Sequence, residues 1–161
     1  IDVALVGSRV DSPYIEREAL FRFPLVCALP VNHELTRKRV IRPRDLDGLP
    51  FVSFGADSQT QALVLQAFSA SDARLNVVLD TSTAPTVCEF VAAGLGVSLI
   101  HPLFAEGFQS RLVLRRFDPE LNFHFQLCRA QASRNAALVE TFVQAARDVA
   151  AQVSREVLKG H

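Results

Sequence analysis

One stretch, Asp80 to Pro102 (DTSTAPTVCEFVAAGLGVSLIHP), constrains the fold more than any other part of the chain. Thr81, Ser82, Thr83 and Thr86 make a hydroxyl-rich turn. Pro85 follows in what reads as a first helical turn, where its missing N–H removes no helix bond. Val87, Phe90, Val91 and Leu95 recur at helical spacing. Gly94 and Gly96 suit the left-handed backbone that ends a helix. Val97 to Ile100 is then a short apolar run of the kind found in strands buried on both faces. Such a unit places free backbone N–H groups and hydroxyls at a helix N-terminus, a ready seat for a carboxylate or other anion.

The residues before it repeat the pattern. Phe51 to Phe54 reads as a strand and Gly55 to Asp57 as a turn. Ser58 and Gln61 fit a capping box, so a helix is expected from about Ser58, burying Leu63, Val64, Ala67 and Phe68. Leu75 to Leu79 is the next strand. The order is βαβαβ, which implies right-handed crossovers and a parallel sheet.

Around this unit, Asp2 to Val6 reads as a strand, and Ile15 to Leu29 as one long strand or two joined at Pro24. Asn32 to Arg42 is polar and basic, and is expected to be a solvated loop. Pro43 to Leu46 is a short turn of helix. Leu103 to Phe108 is a second, and Leu112 to Phe117 and Asn122 to Arg129 are further strands. Capped by Asn135 or Ser133, a long final helix is expected to Lys159, with Leu138, Phe142, Ala145, Val149, Val153 and Val157 at helical spacing.

Composition limits the function. The chain is 49% hydrophobic, and its 17 basic and 17 acidic residues cancel, so it has no electrostatic footprint for nucleic acid or anionic lipid. No apolar run is long enough to span a bilayer. Cys27, Cys88 and Cys128 each sit in an apolar pattern and read as buried small residues in a reducing compartment. His33 and His101 follow strand ends without an evident acid partner, and the dinucleotide, phosphate-loop, nucleophile-elbow and zinc-helix motifs are missing. No enzyme activity, cofactor or metal is expected. The sequence has no methionine and starts on Ile1 within an apolar run, so it is expected to be a piece of a longer protein.

Four segments in order carry a family resemblance: IDVALVGS, ALFRFPLVCALPVNHEL, RPRDLDGLPFVSFG and VCEFVAAGLGVSLIHP. The second is similar to a hydrophobic run into Leu-Pro-x-x-His-x-Leu, the third to x-x-Asp-Leu-x-x-x-Pro-Phe-Ile, and the fourth to a Val-x-x-Gly-x-Gly-hydrophobic signature ending in proline. Together they resemble the effector-binding domain of LysR-type transcriptional regulators, over essentially the whole chain.

The resemblance implies an α/β, periplasmic-binding-protein-like fold of two lobes with mostly parallel sheets. Residues 28–109 would form lobe II, and residues 1–27 with 110–161 the later half of lobe I. The first half of lobe I and the DNA-binding winged helix-turn-helix would lie outside this sequence. The interlobe cleft would be lined by Val6, Gly7 and Ser8, by Ser53, Phe54, Gly55, Asp57 and Ser58, and by Ser82, Thr83 and Ala84, with His101 and Pro102 at the rim. A small carboxylate is the implied effector, or an amino-acid-like one if Asp57 takes an ammonium. The implied protein is cytoplasmic, a homodimer or homotetramer joined through an apolar edge strand and the long helix, with no membrane partner and with DNA bound only through the absent domain. A periplasmic solute-binding protein is the alternative that shares the fold.

Overall fold

Between Pro50 and Ile100, strands and helices alternate as the hydrophobic periodicity demands. The computed structural model describes residues 2–7, 10, 12–132 and 135–159; Ser8 and Ser133, named above, lie outside them. In chain order the elements are β1 (Val3–Val6), β2 (Ile15–Pro24), β3 (Val26–Pro30), β4 (Val40–Ile41), β5 (Pro50–Phe54), α1 (Gln59–Ser69), β6 (Asn76–Thr81), α2 (Ala84–Ala92), β7 (Ser98–Ile100), β8 (Leu112–Phe117), β9 (Asn122–Ala130) and α3 (Ala136–Lys159). Tight 3-10 turns occupy Glu34–Arg37, Pro43–Leu46 and Pro102–Ala105. The chain forms two compact units, one of Ile1–Phe23 with His124–His161 and one of Pro24–Phe123. The long strand expected from Ile15 breaks at Leu25, beside Pro24. The units divide at Phe23/Pro24 and Phe123/His124, and β8 pairs along β3 from Val26–Arg116 to Pro30–Leu112.

In the second unit, β5 pairs in parallel with β6 and meets Val97 in a parallel bridge. Val97 N donates to Pro50 O and Val52 N to Val97 O, both at 2.9 Å. This joins β6 and β5 to a four-stranded sheet ordered β7, β3, β8, β4. Gly96 makes the junction possible, since a Cβ there would lie 2.6 Å from Pro50 O. Its role is close approach, and only Gly94, at φ +79°, serves as the expected left-handed terminator.

The sheet is mixed rather than mostly parallel. The βαβαβ strands and the β4–β8 pair run parallel, whereas β3 runs antiparallel to both β7 and β8. The basic loop expected at Asn32–Arg42 contains a 3-10 turn and the edge strand β4.

Alternation along each strand sends side chains to opposite faces. Phe51, Leu99, Cys27 and Leu29 join Val64, Ala67 and Phe68 of α1 in one buried cluster. Val52, Ile100, Val26 and Ala28 join Val87, Cys88 and Val91 of α2 in another. The helices therefore cover opposite faces, and each large side chain removed from water contributes about 2–3 kcal/mol. Leu95, at helical spacing from Val87 and Val91 in the sequence, falls beyond the helix end and is 47% exposed.

The first unit holds a sheet ordered β1, β9, β2, with β1 antiparallel to β9. Leu127, Val3 and Leu20 pack against Val139, Val143 and Ala146 of α3. The apolar spacing read from the sequence picks out a different stripe of this helix. Leu138, Phe142 and Val149 are exposed, while Val139, Val143 and Ala150 are buried.

Candidate functional site

The chain leaves β5 through α1 to β6 on one side, then crosses through α2 to β7 on the other side of β5. Strand order thus reverses about β5, and in open α/β sheets ligands bind outside the carboxyl ends of strands at such a point. Three turns of the second unit occupy that position: residues 54–58 after β5, 82–83 after β6 and 101–102 after β7. They contain ten of the thirteen residues proposed from the sequence, counting Ser53 and Ala84 at their margins. Val6 and Gly7 end β1 in the first unit.

Both helix N-termini here begin on a hydroxyl residue that does not cap. Ser58 is the N-cap of α1 and Thr83 that of α2, and neither side chain accepts from a backbone N–H of its helix. The reason differs at the two ends. At α1 the expected capping box does not close, because Gln61 is buried and its Oε1 accepts from the hydroxyl of buried Ser53. Ser53 Oγ also reaches Phe54 O at 3.1 Å. At α2 the Thr83 and Thr86 hydroxyls share a hydrogen bond of 2.7 Å. The first N–H groups of both helices therefore lack a side-chain cap, and the helix dipole favours negative charge there.

The remaining groups differ in access. Asp57, Ser82 and Thr83 are exposed, while Phe54, Gly55 and Ser58 are half-buried. Ser53, Ala84, His101 and Pro102 are buried. His101 is 2% exposed, and its Nδ1 accepts from Leu103 N at 3.2 Å, capping the Pro102–Ala105 turn. Its ring meets Phe104 and Phe123 edge-on. Burial pushes its pKa down to about 4. A proton-accepting Nδ1 leaves the other nitrogen as the N–H of a neutral ring. His33 caps the Glu34–Arg37 turn in the same way, through Nδ1 to Leu35 N at 3.2 Å.

Gln59 was not singled out from the sequence. Its Oε1 is buried and accepts no hydrogen bond among the described residues. The cue was present in the Ser-Gln-Thr-Gln run, which reads as a helix start and hides the separate fates of the two glutamines. Cys88 donates to Phe104 O at 3.4 Å, and burial raises its pKa to about 11. It links α2 to the Pro102–Ala105 turn as an inert thiol.

Elsewhere, a shallow depression in the first unit is lined by Glu16, Arg17, Glu18, Leu127 and Arg129. Arg129 bonds Glu16 at 2.6 Å and Glu140 at 2.7 Å, and Arg147 bonds Glu18 at 2.6 Å. These charges are already matched within the unit. No group of three or more His, Cys, Asp or Glu side chains among the described residues is arranged to hold a metal. No helix among them is long and apolar enough to cross a membrane.

Comparison with known proteins places these features in a family. Residues 1–151 match the model of the LysR substrate binding domain. The transcriptional activator protein LysR of Escherichia coli (strain K12) is 34% identical over 128 residues, which are 79% of this chain and 41% of that protein. The chain thus spans less than half the length of that relative. Among solved structures, the Synechocystis PCC6803 CcmR regulatory domain aligns with a TM-score of 0.79 at 20% identity, covering 92% of this chain and 73% of that one. The effector-binding domain of QuiR aligns with a TM-score of 0.79 at 16% identity, covering 94% and 72%. The family match and the LysR relative both point to transcriptional regulators, so the solute-binding alternative is not favoured.

Proposed function

The chain belongs to the LysR substrate binding domain family, the effector-binding domain of LysR-type transcriptional regulators, and from that premise we propose that its second unit takes a small carboxylate at the carboxyl ends of β5, β6 and β7. The observation that carries this reading is the pair of helix N-termini whose hydroxyl caps are turned away from capping. Their backbone N–H groups, with Thr83 and Ser58, suit a carboxylate without a buried counter-charge. Asp57 and Gln59 Oε1 supply acceptors nearby in sequence, which suits an effector that also carries an ammonium or hydroxyl. The solved structures of two distant fold relatives are complexes with small molecules, the CcmR regulatory domain with 2-PG and the QuiR effector-binding domain with shikimate.

In the whole regulator, the effector would favour one arrangement of the domain over another and shift that equilibrium. The shift would reach DNA through an N-terminal winged helix-turn-helix in a cytoplasmic dimer or tetramer. Isothermal calorimetry of the intact regulatory domain with paired small acids, with and without an α-ammonium, tests the proposal. Thr83→Val is expected to weaken the best binder about ten-fold, equivalent to about 1.4 kcal/mol. The fold should be little affected, because this hydroxyl does not cap α2. Absence of any binder, or unchanged affinity in the variant, overturns the reading.

A further inference from the structure

The balanced charge of the chain conceals a lopsided second unit. The strand order β7, β3, β8, β4, joined to β5 and β6, puts β4 and β6 at opposite edges. At the β4 edge, residues 34–42 with 112–118 hold six of this unit's nine basic residues but two of its ten acidic ones. The acids elsewhere include Asp57 after β5 and Asp80 in β6, both exposed. Strands about 4.8 Å apart put the two edges about 24 Å from one another, roughly three Debye lengths at physiological salt. Each edge therefore presents its own field, and a net charge near zero describes neither.

The fold uses up acids at the β4 edge and leaves three guanidinium groups over. Lys38 pairs with Asp45 at 2.5 Å and Arg42 with Asp118 at 2.9 Å. Arg115 is half-buried; its Nη2 donates to Thr36 O at 2.6 Å and its Nη1 to Leu114 O at 2.8 Å. Its bond to Thr36 ties the Glu34–Arg37 turn to β8, and Val40 pairs with Arg116 in the β4–β8 register. Arg37, Arg39 and Arg116 are thereby brought to one edge from two distant parts of the sequence. All three are exposed, and their guanidinium groups bond to none of the described residues. Exposed Glu34, in the first turn of the 3-10 helix, offsets one of these charges. Charge at a sheet edge discourages strand pairing, but either sign does that. A surplus of one sign, carried on arginine forks, is the further feature, and it suits phosphate oxygens.

We infer that the β4 edge lies along the phosphate backbone of double-stranded DNA, with Arg37, Arg39 and Arg116 each on a phosphate. The contact reads no bases and adds affinity without sequence preference. Family membership makes DNA the partner rather than an acidic protein surface. A transcriptional regulator held on DNA by another domain presents its remaining faces to the flanking phosphates at high effective concentration. The inference rests on the family assignment and is independent of the effector reading.

The test is a salt titration of the full-length regulator on a duplex of arbitrary sequence, about 40 base pairs long. Fluorescence anisotropy gives the slope of log affinity against log salt. Arg37→Gln, Arg39→Gln and Arg116→Gln together should flatten that slope by about 2.7 for each chain bound, as three lost phosphate contacts require. The melting temperature should stay within about 2 °C of the parent, because none of the three side chains bonds within the fold. Arg→Lys at the same positions should keep the parent's slope, since counterion release counts charge. A control that removes three exposed arginines elsewhere, Arg17→Gln, Arg111→Gln and Arg155→Gln, should leave the slope unchanged. An unchanged slope in the first triple variant, or an equal fall in the control, overturns the inference. So does a variant that keeps the parent's DNA slope but loses binding to poly-glutamate, because the partner would then be an acidic protein surface.

Discussion

The two units use their apolar residues differently. In the second, the sheet is covered on both faces, by α1 through Val64 and Phe68 and by α2 through Val87 and Val91. In the first, a three-stranded sheet is held against one helix by a small cluster around Leu127, Val139 and Val143, with ion pairs along one flank. The lesson concerns where polar groups can be left open. Because the second unit is stabilised from within, the turns above β5, β6 and β7 can keep uncapped helix ends and an unmatched Gln59 oxygen at modest cost to stability. The first unit, with a smaller buried cluster, ties Arg129 and Arg147 into ion pairs and leaves Leu138, Phe142 and Val149 exposed.

The largest expected effect tests the difference in cores. Phe51→Ala should destabilise the second unit by about 3–5 kcal/mol, since a buried ring is lost between β5 and α1. Val143→Ala should cost the first unit only about 2 kcal/mol. Urea unfolding followed by exchange-resolved probes in each unit measures both, and equal losses would dissolve the contrast.

Next comes pH. The folded pKa of His101 is about 4 against an ordinary 6.5, owing to burial. As pH falls below 6.5 the unfolded chain takes up the proton first, so acid favours unfolding. The contribution of His101 is complete above pH 6.5 and is lost as pH falls toward 4, about 3 kcal/mol in all. His101→Asn keeps a side-chain acceptor for Leu103 N without the titration, so its stability should vary less across that window. A slope identical to the parent's would remove His101 from the explanation.

A smaller loss is expected from Gln61→Leu. It leaves the buried Ser53 hydroxyl with only Phe54 O and should cost about 1–2 kcal/mol, read as a lower urea midpoint. The smallest effect belongs to the first unit's surface. Arg147→Ala removes the hydrogen bond that chiefly holds the Glu18 pKa below its ordinary value. Both partners are exposed, so the shift in melting temperature should be slight and should fade in high salt. A large, salt-insensitive loss would mean that the ion pairs, rather than the Leu127 cluster, hold this unit.

Much of the second unit was legible beforehand because its signals are local. The break at Pro24, the Gly94 terminator and the buried faces of α1 and α2 follow from residue type and spacing. The misreadings share one cause. The Ser58–Gln61 box is a sound local pattern, but Ser53 is brought beside Gln61 by the fold and takes its oxygen. The stripe of Leu138, Phe142 and Val149 has proper helical spacing, yet spacing cannot say which of two apolar flanks a sheet will meet. Gly96 reads as a cap and serves as a contact with Pro50, 46 residues earlier in the numbering.

What the sequence determined by itself, then, is the succession of strands, turns and helices, and the presence of hydroxyls where helices begin, since these depend on neighbours within a few residues. The antiparallel course of β3, the neutral buried state of His101, the uncapped start of α1 and the open flank of α3 were decided only by tertiary structure. Each depends on a group distant in sequence that competes for the same hydrogen bond, or on which surface another element happens to cover.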